Sequence, residues 1–435
     1  MKLYNHKTKE QVTFMEAVKV GLGKERGLFC PAFIPILTNI DELLEMPFVM
    51  RSQKIMRAWI EDEIGGSKVD DLVRKAFTFL PQLNRATQRM FSLELYHGPT
   101  LAFKDFGARF MAQCLALFAG KEKITILTAT SGDTGAAVAD AFYGLDNINV
   151  VILYPKGKIS PLQEKLFCTL GKNITTLAID GDFDDCQELV KKSFADDELR
   201  TKLHLNSANS INISRLLAQV CYYFEAVASF RDYYGKNVLP VISVPCGNFG
   251  NLTAGFYAKA LGLPIKRFVA ATNANDTVPR FLKTGEWRPN KTVHTMTNAM
   301  DVSEPSNWTR ITELFATMSV HAIGNNWKMN EGNLVGVSIS DEQNAAAMQR
   351  LQAKGYVAEP HTALAACGLS LSLKPDEAGI FLSTAHPAKF KEKIEEVLGI
   401  QIFLPDKLKE ASTKKLLSID MPADFQTLRT FLLKL

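Results

Sequence analysis

The chain has 435 residues, of which 46% are apolar and 22% charged, with 50 basic against 46 acidic side chains and a net charge of +4. This length is too great for one small core and is typical of two or three lobes. The basic residues are spread along the whole chain and form no run interleaved with aromatics, which argues against a nucleic-acid partner.

The first part of the chain, residues 1–82, is predicted to be a mainly helical subdomain, because its apolar residues recur at helical spacing. No reactive motif is evident there, so we expect a role in packing or dimerisation. The remainder, residues 83–435, is predicted to form the main functional region.

From about residue 121 the pattern changes to short apolar strands that alternate with helices. The predicted strands span 123–129, 149–154, 173–179, 240–244, 268–272 and 379–383. The predicted helices span 136–143, 160–170, 183–194, 216–224 and 252–261. This alternation predicts an α/β fold with parallel sheets covered on both faces. Such sheets bind ligands at the carboxyl ends of their strands. Residues 318–340 have weak periodicity and are not assigned.

Lys104 lies between Phe103 and Phe106 in the segment 97–107. A lysine among aromatics either lays its stem along an apolar surface with its head in water, or keeps its amine partly desolvated. Desolvation lowers the pKa and makes the amine available as a nucleophile or base. Taken alone, the first interpretation is favoured, but three other segments favour the second.

Two glycine-containing loops each join a predicted strand to a helix, at 246–251 and 130–135. Glycines let backbone amides turn toward a ligand, and the helix N-terminus adds about half a positive charge. Each loop is therefore either a tight turn or a site for a phosphate or carboxylate. Asp133 does not suit an anion site, but it would cap the following helix or accept a hydrogen bond from a protonated ring substituent.

The segment 206–215 carries six short polar side chains and Arg215 ahead of an apolar helix. An N-cap cluster explains one or two of them, whereas the whole set suits a phosphoester. Thr384 follows a predicted strand and is either a turn residue or a partner for a heterocyclic nitrogen. His361 and His386 are interpreted as structural, since neither has a cysteine or carboxylate partner at metal-ligand spacing.

The seven cysteines are dispersed and include no Cys-x-x-Cys pair, which favours a reducing compartment and argues against disulfides or structural zinc. The polar N-terminus does not resemble a signal peptide, and no apolar run approaches the ~20 residues that span a bilayer. We expect a cytoplasmic protein with no metal and no membrane contact. The dinucleotide, ATP-loop, zincin and α/β-hydrolase motifs are absent.

A reactive amine, a glycine-and-amide phosphate site, a second anion site and a hydroxyl for a ring nitrogen together suit pyridoxal 5′-phosphate. The segments that carry a family resemblance are 98–106, 130–135, 206–215, 245–251 and 383–390. In order and spacing they resemble those of the threonine synthase family, from the N-terminus to about residue 400.

The resemblance implies the fold type II of pyridoxal-phosphate enzymes, the tryptophan-synthase-β kind, with two open parallel-sheet lobes. The smaller, mobile lobe would span about 105–225, and the large lobe would include the rest, with a C-terminal extension over about 400–435.

Carried over to this sequence, the resemblance implies that Lys104 bonds to the cofactor aldehyde and is the catalytic base. The implied cofactor-binding residues are Lys104, Asp133, Gly247, Asn248, Phe249, Gly250, Asn251 and Thr384, with Thr384 facing the pyridine nitrogen. The implied substrate-binding residues are Thr130, Ser131, Thr134, Asn209, Ser210 and Arg215.

The implied reaction converts O-phospho-L-homoserine and water to L-threonine and phosphate, the last step of threonine biosynthesis, in a monomer or homodimer. The nearest alternatives are a phospholyase or a serine/threonine dehydratase on the same fold, and the polar cluster at 206–215 argues against the dehydratase. A protein that binds the cofactor without turnover is disfavoured by Lys104 and the substrate loop. A nucleotide-binding dehydrogenase is disfavoured by the missing glycine fingerprint.

Overall fold

The N-terminal segment forms a small antiparallel sheet, which the sequence did not predict. The computed structural model describes residues 1–321, 329 and 332–435, with the side chains of 319–321 left out. The first elements are β1 (Lys2–Asn5), β2 (Gln11–Thr13), α1 (Phe14–Val20) and β3 (Phe29–Pro31). The strands pair in the order β2-β1-β3. They are three or four residues long, too short to show a period-2 pattern in the sequence.

The rest of the N-terminal part consists mostly of helices. It comprises α2 (Ile40–Glu45), α3 (Phe48–Ile64) and α4 (Gly66–Ala76). One face of α3 is fully buried through Ile55, Met56 and Ile60, and α3 ends at Gly65, whose φ of +85° favours glycine. These helices pack against α5 (Lys104–Ala119) and α10 (Ile213–Tyr234).

Among the described residues, a six-stranded sheet forms the large lobe. Its strands are β4 (Gln82–Arg85), β5 (Met90–Glu94), β10 (Val241–Pro245), β11 (Arg267–Thr272), β12 (Leu334–Ser338) and β13 (Gly379–Ser383). Their spatial order is β12-β11-β10-β13-β5-β4. All neighbours are parallel except β4 and β5, which form an antiparallel pair at the edge.

In the part of the chain that the structure describes, a five-stranded parallel sheet forms the smaller lobe. Its strands are β6 (Ile124–Ala129), β7 (Ile148–Pro155), β8 (Ile174–Asp180), β9 (Leu205–Asn206) and β14 (Ile419–Pro422), in the order β14-β8-β7-β6-β9. The last of these comes from the C-terminal extension, which therefore completes the smaller lobe. The two-lobed α/β prediction is confirmed, with the extension contributing an edge strand.

Helices cover both sheets. Those between residues 130 and 270 are α6 (Asp133–Phe142), α7 (Pro161–Lys165), α8 (Phe183–Ala195), α9 (Asp197–Leu203) and α11 (Gly250–Ala260). The later ones are α12 (Thr277–Thr284), α13 (Trp308–His321), α14 (Asp341–Gln352), α15 (Pro360–Ser372), α16 (Lys391–Leu398), α17 (Asp406–Thr413) and α18 (Phe425–Leu432). The predicted helix over 160–170 is shorter than expected, because its backbone closes into turns after residue 165.

The unassigned segment 318–340 contains the end of α13 and all of β12, while residues 322–328, 330 and 331 lie outside the described residues. Within the described part of the chain, no helix combines the length and the apolar character needed to cross a membrane.

The strand order places several loops around one cleft. The carboxyl ends of β6, β10 and β13 lead into the segments 130–135, 246–251 and 384–389, and residues from all three line a cavity of about 1770 Å³. Lys104, at the start of α5, lines the same cavity. The fold thus brings the predicted site segments together at the edge where parallel sheets bind ligands.

Candidate active site

Lys104 is the first residue of α5, and a tight turn fixes its position. Asp105 is completely buried and accepts hydrogen bonds from both the backbone amide and the hydroxyl of Thr100. Leu101 within this turn has a φ of +58°. The turn directs Lys104 into the cleft, where its Nζ donates to Oγ1 of Thr134 at 2.9 Å.

The environment of Lys104 favours the neutral amine. The pKa of Lys104 is lowered to about 8, chiefly by desolvation; Asp133 opposes this shift, and the nearby cations Arg215 and Lys389 add to it. An amine with this pKa is half deprotonated near pH 8, so far more of it is neutral at physiological pH than of an ordinary lysine, as a nucleophile or proton acceptor requires. Phe106 points into the core, whereas Phe103 is only partly buried and lines the cleft.

The loop at 130–135 is folded around its first residue. Oγ1 of Thr130 accepts hydrogen bonds from the amides of Gly132 and Gly135, at 3.0 and 2.8 Å. Thr130 therefore shapes the loop from within; it lines the cleft together with Ser131 and Thr134, but it is buried whereas they are partly exposed. Of the substrate-binding residues proposed in this loop, Ser131 and Thr134 have the better access.

Asp133 does not cap the following helix. It is the first residue of α6, whose N-cap position is held by Gly132 with no side-chain capping bond. Its carboxylate instead lies 2.6 Å from Nζ of Lys389 and accepts a hydrogen bond from Gln163. Burial opposes ionisation, but Lys389 and Lys104 outweigh it and lower the pKa of Asp133 to about 2.

The loop at 246–251 forms a cup at the N-terminus of α11. Phe249 has a φ of +60° and α11 begins at Gly250, so the first amides of this helix face the cleft. A Cβ at Gly247 would lie 2.7 Å from Cα of Met300, and only glycine fits there.

Asn251 supplies a free donor to this cup. Its Oδ1 accepts hydrogen bonds from the phenols of Tyr222 and Tyr223, at 2.6 and 2.7 Å. Its Nδ2 is buried and has no partner among the described residues. A buried, unsatisfied amide is costly unless a ligand accepts from it. Together with the amides of the helix N-terminus, it fits the phosphate of pyridoxal 5′-phosphate.

Asn248 links the cup to the segment 206–215. Its Nδ2 donates to the hydroxyl of Ser210 at 2.9 Å, and its Oδ1 accepts from the amide of Ser306. Asn307 donates to the Asn248 carbonyl. The side chain of Asn248 thus connects the segment 246–251 to the segment 206–215. Both Asn248 and Ser210 line the cleft.

Within 206–215, the polar residues divide into two groups. Asn206 and Asn212 donate to carbonyls of α1, and Asn212 also caps α10, so both are structural. Asn209 and Arg215 line the cleft instead. Arg215 is buried and bonds the Ala208 carbonyl, yet its Nε has no partner in the part of the chain that the structure describes. Burial lowers the pKa of Arg215 to about 10.

Thr384 lies in the cleft directly after β13, and its carbonyl accepts from the amide of Phe103 at 2.9 Å, which ties this strand end to the turn before Lys104. His386 accepts from the Ala388 amide and has a structural role, as interpreted from the sequence. His361 bonds to Glu359 at 2.6 Å, but it also lines the cleft, with its Nε2 buried and unpartnered among the described residues.

The sequence did not identify five of the residues that shape this site. They are Gln163, Tyr222, Tyr223, Asn307 and Lys389. Only Lys389 falls within a segment that resembled the family, and its contact with Asp133 depends on the tertiary fold.

Comparisons with known proteins agree with this geometry. The family model "Pyridoxal-phosphate dependent enzyme" matches residues 77–383, "Threonine synthase N terminus" matches 5–77 and "Threonine synthase, C-terminal" matches 362–432. The chain is 60% identical to threonine synthase of Haemophilus influenzae, over 100% of both chains. It belongs to the threonine synthase family.

Solved structures of this family share the whole fold. The crystal structure of threonine synthase from Escherichia coli matches with a TM-score of 0.93 at 56% identity, over 100% of both chains. Threonine synthase from Brucella melitensis, whose structure has bound pyridoxal phosphate, matches with a TM-score of 0.92 at 30% identity, over 99% of this chain and 98% of that one. The chain is accordingly a lyase that uses pyridoxal phosphate, with fold type II.

Proposed function

We propose that the protein converts O-phospho-L-homoserine and water to L-threonine and inorganic phosphate, with Lys104 as its catalytic residue. The observation that carries this proposal is the pair of buried donors in the cleft of Lys104. Asn251 Nδ2 and Arg215 Nε both lack a partner among the described residues. They lie in the first turns of two different helices, α11 and α10, so we assign them to two anion sites, one for the phosphate of the cofactor and one for that of the substrate.

The cofactor site would be built by residues of both lobes. The backbone of Gly247, Phe249 and Gly250 and the amide of Asn251 would hold the phosphate, and Thr384 would face the ring nitrogen. Asp133 and Asn248 would act at the edge of this site through Lys389 and Ser210. When bound, pyridoxal phosphate supplies an aldehyde for the amine of Lys104 and an electron-withdrawing ring that acidifies C–H bonds of the amino acid.

The chain's own groups would bind the substrate and move protons. Arg215, Ser210 and Asn209 would bind the substrate phosphate, and Ser131 and Thr134 its carboxylate, with Thr130 holding their loop in shape. The guanidinium of Arg215 would stabilise the charge that develops on the departing phosphate. Lys104 would carry protons to and from the substrate carbons, and its lowered pKa suits repeated transfer near neutral pH.

The rival activities differ in what they need from the second anion site. A dehydratase needs no donors for a substrate phosphate, so the buried Arg215 argues against it. A phospholyase needs the same donors and differs only in its product. A protein that only binds the cofactor does not need a desolvated lysine that is hydrogen-bonded to a hydroxyl, as Lys104 is to Thr134.

The experiment that tests the proposal is product analysis. The protein loaded with pyridoxal phosphate is incubated with O-phospho-L-homoserine, and released phosphate, threonine and 2-oxobutyrate are quantified together. We expect equal amounts of phosphate and threonine. Phosphate with 2-oxobutyrate would identify a phospholyase, and no phosphate release would contradict the proposed activity. Lys104→Ala is the control for background hydrolysis.

We further propose a cytoplasmic location and a monomeric or homodimeric state. All seven cysteines are buried and free of disulfides, which supports a reducing compartment. We also propose that the smaller lobe closes over the substrate, because the cleft lies between the two sheets and contains residues of both. Size-exclusion chromatography with light scattering tests the oligomeric state.

A further inference from the structure

Lys389 is a fully buried lysine to which the proposed reaction assigns no contact with the substrate or the cofactor. It lies in the short turn Pro387–Phe390 that follows Thr384. Its Nζ contacts Oδ1 of Asp133 at 2.6 Å and donates to the carbonyl of Thr100 at 2.8 Å. Lys389 therefore joins three segments that surround the reactive amine: the turn after β13, the start of α6 and the turn before α5.

The position of Asp133 connects this pair to Lys104. Asp133 is adjacent in sequence to Thr134, whose Oγ1 lies 2.9 Å from Nζ of Lys104. The charged groups that act on Lys104 are Asp133 from α6, Arg215 from α10 and Lys389 from the turn after β13. Among these three groups only Asp133 is negative, so the charge balance at the amine depends on it.

A second buried ion pair shows what a purely structural pair looks like in this protein. Arg267 and Glu377 are buried and lie 2.6 Å apart between Nη2 and Oε2. Arg267 opens β11 and Glu377 precedes β13, so this pair lies at the amino ends of the strands, opposite the cleft. The Asp133–Lys389 pair lies at the carboxyl ends, beside the cleft.

We propose that Lys389 is a positioning residue of the active site, which through its ion pair with Asp133 fixes one carboxylate beside the amine of Lys104. The proposal rests on the proposed function only in taking Lys104 as the residue that bonds the cofactor. Lys389 compensates part of the carboxylate's charge, and Gln163 holds its orientation through a hydrogen bond of 3.1 Å. The electrostatic field that remains from the Asp133–Lys389 pair then determines how strongly the Lys104 nitrogen binds a proton.

The charges give a direction for each substitution. In Lys389→Met, the carboxylate of Asp133 is no longer compensated and would stabilise the protonated Lys104 nitrogen. In Asp133→Asn, the ammonium of Lys389 and the guanidinium of Arg215 would destabilise the protonated Lys104 nitrogen. The double variant Asp133→Asn/Lys389→Met carries neither charge and should return toward the wild-type behaviour. His361, which also acts on Asp133, is unchanged throughout.

The test uses the protein loaded with pyridoxal phosphate, without substrate. The visible absorbance of the bound cofactor depends on the protonation of the lysine nitrogen, so a pH titration of that absorbance gives a midpoint for each variant. We expect the midpoint to rise by about one pH unit in Lys389→Met, to fall by about one in Asp133→Asn, and to recover in the double variant. Urea unfolding of each variant is measured in parallel.

The matched control is the same cycle at the structural pair, with Arg267→Met, Glu377→Gln and the double variant. These should lower the unfolding midpoint and leave the spectral midpoint unchanged. If Lys389→Met and Asp133→Asn behave like this control, or shift the spectral midpoint in the same direction, the proposal is overturned. If Lys389→Met or Asp133→Asn does not fold, the direction in which the other variant shifts the spectral midpoint tests the proposal: a shift opposite to the expected one, or no shift, overturns it. Failure of the proposed reaction would show in the threonine assay and leave this spectral result intact.

Discussion

The Nζ atom of Lys104 lies 2.9 Å from Oγ1 of Thr134, so the first turns of α5 and α6 meet at the reactive amine. Because Thr134 lies in the first turn of α6, which follows β6, the hydroxyl and the amine are placed by different elements of the fold. The contact locates the amine in the cleft that the glycine-containing segments 130–135 and 246–251 also line.

The first prediction concerns the free amine of Lys104. Its pKa is lowered to about 8 from 10.5, chiefly by desolvation, and only the neutral amine attacks an aldehyde. The rate at which the cofactor-free protein captures pyridoxal phosphate should therefore rise with pH, reach half its maximum near pH 8 and then level off. Stopped-flow measurement of the visible absorbance checks this. A half-maximum near the ordinary lysine value would contradict it.

A matched lysine provides the control for this measurement. Burial also lowers the pKa of Lys259 to about 8, but its Nζ bonds the Lys266 carbonyl and the Asn333 side chain, and it does not line the cleft. Lys259→Ala should leave capture unchanged. Lys104→Ala should abolish the visible absorbance and reduce turnover by about 10³-fold or more.

Arg215 should matter for the substrate more than for the cofactor. Arg215→Met removes a buried guanidinium whose Nε is unpartnered among the described residues. A hydrogen bond to a charged group contributes about 1.5–3 kcal/mol, so kcat/KM for O-phospho-L-homoserine should fall by roughly 10- to 150-fold. Equilibrium titration with pyridoxal phosphate should give nearly the wild-type Kd. An equal loss of both would assign Arg215 to the cofactor phosphate instead.

The sequence was most informative where strands are continuous apolar runs. Residues 379–383 were predicted and observed as β13, and the prediction for β10 was offset by one residue at each end. These strands are buried on both faces, and their apolar runs are bounded by proline or glycine. The loops after them were therefore assigned correctly to the ligand edge of the sheet.

The sequence was least informative where an element depends on a distant partner. The strand β14 is only four residues long and pairs with β8, far earlier in the chain. The partners of Asp133 and Asn251 likewise come from other segments, Lys389 in one case and the tyrosines of α10 in the other. Neither periodicity nor local spacing contains such contacts, so Asp133 was taken for a possible helix cap.

Arg310 should be important for stability. It is completely buried and donates to the carbonyls of Phe29 and Ile211 and to Oδ1 of Asn307, at 3.0, 2.7 and 2.8 Å. Arg310→Leu would leave these acceptors unsatisfied and should lower the free energy of unfolding by about 3 kcal/mol or more.

Urea unfolding checks this expectation, with Arg280→Leu as the control. Arg280 is only partly buried and pairs locally with Asp276 on α12, so its loss should change stability by about 1 kcal/mol or less. Similar unfolding midpoints for the two variants would contradict the role given to Arg310.

The last prediction concerns the orientation of the Asn251 amide. The phenol of Tyr223 donates to Oδ1 of Asn251 at 2.7 Å and to its backbone carbonyl at 2.9 Å, which turns Nδ2 toward the cup. In Tyr223→Phe the amide loses this restraint, and Tyr222 alone holds it. We expect the Kd for pyridoxal phosphate to rise by roughly 5-fold, as for the loss of about 1 kcal/mol.

Tyr257→Phe is the matched control, because the phenol of Tyr257 is buried on α11 and has no hydrogen-bond partner in the described part of the chain. That variant also removes one buried phenolic oxygen, from the helix that carries Asn251, and should leave the Kd for pyridoxal phosphate unchanged. Fluorescence or absorbance titration of the cofactor-free proteins measures both. If the two variants bind pyridoxal phosphate equally well, the tyrosine on α10 does not orient the donor, and the free Nδ2 of Asn251 is held by packing alone.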